Sequence, residues 1–203
     1  MSFATDPTTR NIMPRITALI IAFAIFFTAS TAWAIQGYKD RHGVFYGLGV
    51  GGGPGAVHID NELSGLEGTG DLGLHLHGIL GGGLSENLTF GAEANGWIRT
   101  VSVGDSSHNH QHWSFNAVSN LFIIEGLFLE GGLGLAYAFS DATAADGSES
   151  RYQEMGLAFK AGTGFEYFLD GTVAAGMRFG YTRHVYSNID FDTFIGSVTL
   201  RWY

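Results

Sequence analysis

Cysteine is absent from the 203 residues, so no disulfide framework, thiolate metal site or lipid-modified cysteine anchor is available. Basic residues are scarce, 10 Lys and Arg against 19 Asp and Glu, and they are not clustered. A nucleic-acid partner is therefore not expected, since phosphate binding needs grouped cations. Long apolar runs are missing as well. The longest, ITALIIAFAIFFT at residues 16–28, has 13 residues, short of the roughly 20 that a helix needs to cross hydrocarbon.

That run follows Arg10 and Arg15 and precedes Ala32-Trp33-Ala34, the arrangement of a cleavable signal peptide. Residues 1–34 are read as a signal-peptide helix cleaved after Ala34, an uncleaved anchor being the alternative. Either Met1 or Met13 can serve as the start. Removal of residues 1–34 takes away Arg10, Arg15 and Asp6 and leaves a 169-residue chain with a net charge near −10, suited to one domain. Within it, 35–42 reads as a short periplasmic segment and 43–203 as the domain itself.

Past residue 34 proline is almost absent, no helical period appears, and alternation with period two recurs in eight segments. Val44, Tyr46, Leu48 and Val50 oppose Gly43, Phe45, Gly47, Gly49 and Gly51. Leu72, Leu74, Leu76 and Leu80 oppose Gly73, His75, His77, Ile79 and Gly81. Met155, Leu157, Phe159, Ala161, Phe165 and Tyr167 oppose Glu154, Gly156, Lys160, Gly162, Gly164 and Glu166. In each of these one face is bulky and apolar, and the other holds glycine, polar groups and the charges. Short turns are expected at Ser85-Glu86-Asn87, Ile124-Glu125-Gly126 and Leu169-Asp170-Gly171. Longer polar loops are expected at about 53–70, 100–111, 140–152 and 184–190.

Short periplasmic turns alternating with long external loops are the arrangement of an all-β, eight-stranded antiparallel up-and-down transmembrane β-barrel. A soluble lipocalin-like barrel would also alternate. It would, however, place its large apolar residues inward, whereas the crowded lumen of a small membrane barrel has room for glycine and a few polar groups. Tyr46, Trp113, Tyr137 and Tyr181 face outward, and Tyr167 and Trp202 lie near the periplasmic rim, where such aromatics form interfacial girdles.

The pattern and the terminal strand FIGSVTLRWY resemble the small Gram-negative outer-membrane barrels of the OmpA/OmpX type and the Gly-rich "outer membrane protein β-barrel" families. Phe194, Val198, Leu200 and Trp202 share one phase, so Trp202 rather than Tyr203 takes the part of the terminal aromatic. The resemblance implies a cell outer membrane location, insertion by the barrel assembly machinery, contact with outer-membrane lipids and lipopolysaccharide, and a monomer. It implies a structural, envelope-integrity or surface-interaction role without enzyme activity. A narrow pore for small or apolar solutes, as in OmpW-like barrels, is the second reading.

The inward phase carries Glu93, Glu130, Glu154 and Glu166 with Arg99, Lys160, Arg178 and Arg201. Four acids and four bases in one small lumen point to a salt-bridged plug, since buried ions persist only when paired; a gate or ion path is the alternative. His108, His110 and His112 share one side of an extended segment and could hold a transition metal. His184-Val185-Tyr186-Ser187-Asn188 is similar to the H-x-S-N segment of lipid A deacylases, with one residue too many. In a strand that spacing puts His184 and Ser187 on opposite faces, so a hydrolase is the third reading. No cofactor is expected.

Overall fold

A computed structural model of the chain describes residues 41–59, 71–103, 106–143, 147–187 and 189–203. The signal-peptide reading of 1–34, most of the segment 35–42, and residues 60–70 of the first expected loop lie outside the described residues. Eight strands follow one another: β1 Gly43–Ile59, β2 Asp71–Ser85, β3 Leu88–Val103, β4 Ser106–Ile124, β5 Leu127–Thr143, β6 Glu149–Phe168, β7 Val173–Val185 and β8 Ile189–Trp202. Each pairs antiparallel with the next, and β1 pairs with β8 through Tyr46↔Trp202, Leu48↔Leu200 and Val50↔Val198, which closes the barrel. Over the segments where all eight strands are paired, closure leaves no open strand edge, the condition for a sheet to sit in hydrocarbon.

Sequence alternation becomes a difference between two surfaces. Outward residues form an apolar belt, with Leu133 67% and Met155 66% exposed, while inward Glu93 is 1% exposed. At the β1–β8 seam the outward rings of Tyr46 and Trp202 stack with centroids 5.2 Å apart. Trp202 thus stands on the lipid-type face. Tyr203 turns the other way, into the barrel mouth, where its backbone N–H donates to Thr172 O at 2.8 Å.

At one end, which also holds Arg41 and Tyr203, the connections are tight and this is called the turn end. Glu125-Gly126 links β4 to β5 with Gly126 at φ 79°, a left-handed value that a Cβ would disfavour. Between β6 and β7, Asp170 Oδ1 accepts from the backbone N–H groups of Thr172 (2.7 Å) and Val173 (2.8 Å), a side chain standing in for a turn carbonyl.

At the other end, the loop end, the expected long loops are corrected. Of residues 100–111 only 104 and 105 fall outside β3 and β4, and of 184–190 only 186–188 lie between β7 and β8. The strands run on through His108-Asn109-His110-Gln111 and, in β6, Glu149-Ser150-Arg151-Tyr152. The end of apolar alternation marks where lipid contact ends. The hydrogen-bonded ladder has no such limit and continues with polar side chains, because antiparallel pairing satisfies the backbone equally well in water. Strands of 13 to 20 residues exceed the roughly 9–11 that a membrane crossing needs, so their ends extend past the belt.

Candidate functional site

Among the described residues the buried charges gather in the lumen, which is occupied in three layers. At the turn end Arg41 Nε lies 2.7 Å from Glu166 Oε1, and Arg201 Nη1 lies 3.1 Å from Glu166 Oε2. The Tyr203 hydroxyl donates to Glu166 Oε1 at 2.8 Å. Arg41 also sits 3.7 Å above the Phe122 ring, and Arg201 faces Phe45 at 5.1 Å. Burial pushes the Tyr203 phenol up to about 12, so it stays a donor throughout the neutral range.

Arg41 was assigned to the periplasmic segment by sequence, yet its side chain is buried inside the mouth. The available signal was its phase, in step with Gly43 and Phe45 on the inward face. Arg41→Ala is expected to lower stability by about 2–4 kcal/mol, the sum of one charge-assisted hydrogen bond and a desolvated cation–π contact. Urea titration of vesicle-inserted protein would measure it. Arg201 still balances Glu166, so the loss should stay below that of an orphaned buried charge. A midpoint equal to the unsubstituted protein's would show that the seal contributes nothing.

In the middle layer Lys160 bridges Glu93 and Glu130, the latter at 3.1 Å, and Arg178 Nη1 bridges the same two carboxylates at 2.5 and 3.1 Å. Two acids and two bases therefore alternate in one closed, neutral quartet. Asn95 Nδ2 donates to Glu93 Oε1 at 3.0 Å, Ser114 Oγ to Asn95 Oδ1 at 3.0 Å, and Asn116 Nδ2 to Ser114 Oγ at 2.9 Å. This chain extends the quartet across β3 and β4. Glycine makes room for the large groups: a Cβ on Gly73 would meet the Trp97 indole, and one on Gly49 the His77 ring.

Of the eight charged residues expected to form one network, six divide between these two layers. Glu154 is in neither. Half-buried near the loop end, it accepts from the Tyr152 hydroxyl and from Ser187 N–H at 2.7 Å. Arg99 lies half-buried across the β3–β4 ladder from His110, also away from the quartet. The barrel's height separates them: Arg99 and Glu154 stand nearer the loop end than the quartet, a distance that inward phase alone cannot reveal.

The layer toward the loop end is aromatic. Trp97 Nε1 donates to Gly53 O at 3.1 Å, and the Trp97 and Phe191 rings lie 5.0 Å apart. His112 stacks on Phe191 at 3.6 Å, and its Nδ1 is 3.2 Å from Tyr186 Oη. Ala136, Ala138, Ala158 and Ile195 complete the packing. Burial, then the nearby Glu154 carboxylate, raises the Tyr186 phenol's pKa. Phe191 escaped sequence reading because it lies between the expected loop at 184–190 and the terminal strand read from Phe194 onward, although it shares the inward phase of Thr193 and Ser197.

His108, His110 and His112 do share one side, as their spacing predicted, but on β4 rather than in a loop. His108 and His110 stack with centroids 6.3 Å apart, and His110 Nδ1 is 3.1 Å from Ser140 Oγ. His112 is turned toward Phe191 and Tyr186 instead. Among the described residues no three His, Asp or Glu side chains converge on one point. His184 is buried with its ring against His112, Tyr186 and Phe191, whereas Ser187 is exposed in the β7–β8 connection. Neither His184 nitrogen makes a hydrogen bond, so the turn between them does not join imidazole to hydroxyl.

No protein-family model matches the chain, and no curated protein matches it in sequence. Solved structures do share its fold. The attachment invasion locus protein Ail of Yersinia pestis, solved in complex with the heparin analogue sucrose octasulfate, superposes with a TM-score of 0.60 at 14% identity, over 78% of this chain and 99% of that one. Neisserial surface protein A superposes with a TM-score of 0.51 at 13% identity, over 78% of this chain and 98% of that one. At such identities the likeness shows the fold, that of the small eight-stranded outer-membrane barrels.

Proposed function

We propose that the chain is a non-enzymatic integral outer-membrane barrel that acts through its membrane-embedded wall and loop end, with its lumen serving as an internal brace. The stacked occupation of the lumen carries this reading: the Arg41–Glu166–Arg201 cluster, the Glu93–Lys160–Glu130–Arg178 quartet and the Trp97–Phe191–His112 packing lie in succession along the barrel. An eight-stranded barrel encloses little more than its own side chains. Charges paired this closely brace the wall and offer a solute neither width nor a free ligand. The apolar belt supports insertion in the outer membrane as a monomer, in contact with lipopolysaccharide and delivered by the barrel assembly machinery.

Export follows from the signal-peptide reading, so the outer-membrane protein should begin at Ile35. Ail, in its structure, binds a sulfated sugar; the strongly acidic balance of this chain argues against a polyanionic partner of that kind and for cation-bridged contact with lipid phosphates.

Planar-bilayer recording tests the brace against the pore. The purified barrel is expected to give no discrete conductance steps. Steps that disappear in Glu93→Gln would establish the narrow pore instead. Release of fatty acid from lipid A, lost in both His184→Ala and Ser187→Ala, would establish the hydrolase; the burial of one residue and exposure of the other speaks against it.

A further inference from the structure

His184 is 1% exposed, and neither of its ring nitrogens finds a hydrogen-bond partner; the Phe191 backbone across the β7–β8 ladder lies near it but out of bonding geometry. An apolar ring of the same size would fill that position without stranding two polar atoms. Closure of the lumen therefore does not account for an imidazole here. A ligand would.

The ring centre of His184 stands 5.9 Å from that of His112, with the planes 31° apart. An ion bonded to two imidazole nitrogens at about 2.0–2.1 Å, each nitrogen about 1.1 Å from its ring centre, holds the rings roughly 5 Å apart at a tetrahedral angle and a little over about 6 Å apart when the two bonds are collinear, so the observed spacing falls toward the open end of that range. His112 is set for such a bond. In the tautomer whose Nδ1–H donates to Tyr186 Oη, 3.2 Å from that nitrogen, Nε2 keeps its lone pair, the arrangement by which an outer partner fixes a ligand's tautomer.

The surroundings choose the ion. Trp97, Phe191, Ala136, Ala138, Ala158 and Ile195 form an uncharged wall, and no third imidazole or carboxylate converges among the described residues. A divalent ion seeking four donors would be left short of ligands and of countercharge. A monovalent ion content with two nitrogens meets neither limit, and imidazole suits copper. We propose that His112 and His184 bind one cuprous ion in near-linear geometry, with Tyr186 positioning His112. His108 and His110 continue the same side of β4 toward the loop end, a line of imidazoles along which an ion from that end arrives. The deeper pair His75 and His77, centroids 5.3 Å apart, stands in the field of Arg178 and Lys160, which repel a cation.

Purified full-length barrel in detergent, titrated with Cu(I) under ascorbate against a bicinchoninate competitor, should take up one equivalent. His112→Gln and His184→Gln should each weaken uptake at least about 100-fold, and Tyr186→Phe about 10-fold, as expected for loss of a partner that orients a ligand. The double changes His75→Gln/His77→Gln and His108→Gln/His110→Gln should leave it within about threefold. A heat-dependent gel shift checks that each variant is folded; should a ligand variant fail that check, Tyr186→Phe and X-ray absorption of the unsubstituted protein, which should show two short Cu–N bonds, carry the test. Failure to bind Cu(I), equal binding by either ligand variant, loss of binding in either double variant, or Zn(II) bound as tightly as Cu(I) would overturn the proposal.

Discussion

Glu93→Gln is expected to lower the stability of the barrel by about 3–5 kcal/mol, the cost of breaking a buried ion pair from one side. Glu93 is 1% exposed and answers both Lys160 and Arg178. With its charge gone, Glu130 alone faces two cations in a buried site. A second change gives the result its meaning. Lys160→Met added to Glu93→Gln restores neutrality, leaving Arg178 on Glu130, so the double variant should be more stable than Glu93→Gln alone. Urea unfolding in lipid vesicles measures both, and a double variant showing the plain sum of two losses would mean that the four charges do not act as one unit.

Gly134→Val is expected to prevent the barrel from closing, a loss above about 4 kcal/mol. A Cβ at this position would strike the Phe115 carbonyl oxygen and come within 2.6 Å of Asn116 Cα. Both are backbone atoms of the neighbouring strand, so no rotamer relieves the contact, and β4 and β5 must separate. The folded, heat-modifiable gel band should therefore vanish. Gly131→Val, on the outward face with nothing within 4 Å of the added Cβ, should change stability by less than about 0.5 kcal/mol. Equal behaviour of the two would refute the assignment of faces.

Much of this was legible from one rule. Period-two alternation placed Leu133 and Met155 outside, Glu130 and Lys160 inside, and counted eight strands. It did so because side-chain direction in a strand follows from residue parity alone. The same parity located most of the charges that meet in the lumen. It failed where an apolar signal was needed to recognise a strand: at His108-Asn109-His110, in Tyr152 and beside Phe191, where the ladder continues among polar side chains. Arg41, in phase but ahead of the first alternating segment, was missed for a related reason.

Parity says which way a side chain points. It says nothing of the height at which it meets another, or of which strand lies across the lumen. The division of six of the eight charges between a quartet and a separate seal, the departure of Glu154 to Ser187, and the turn of His112 away from His108 and His110 toward His184 all depend on strand register and closure. These relations join residues 30 to 125 positions apart, such as Lys160 with Glu130 and Arg41 with Glu166. The sequence by itself determined that the chain would form a barrel with a polar, glycine-lined interior, because local alternation suffices for that. Only the tertiary structure decided which of those interior groups become partners, because partnership across a lumen is a property of the closed ring and of no single strand.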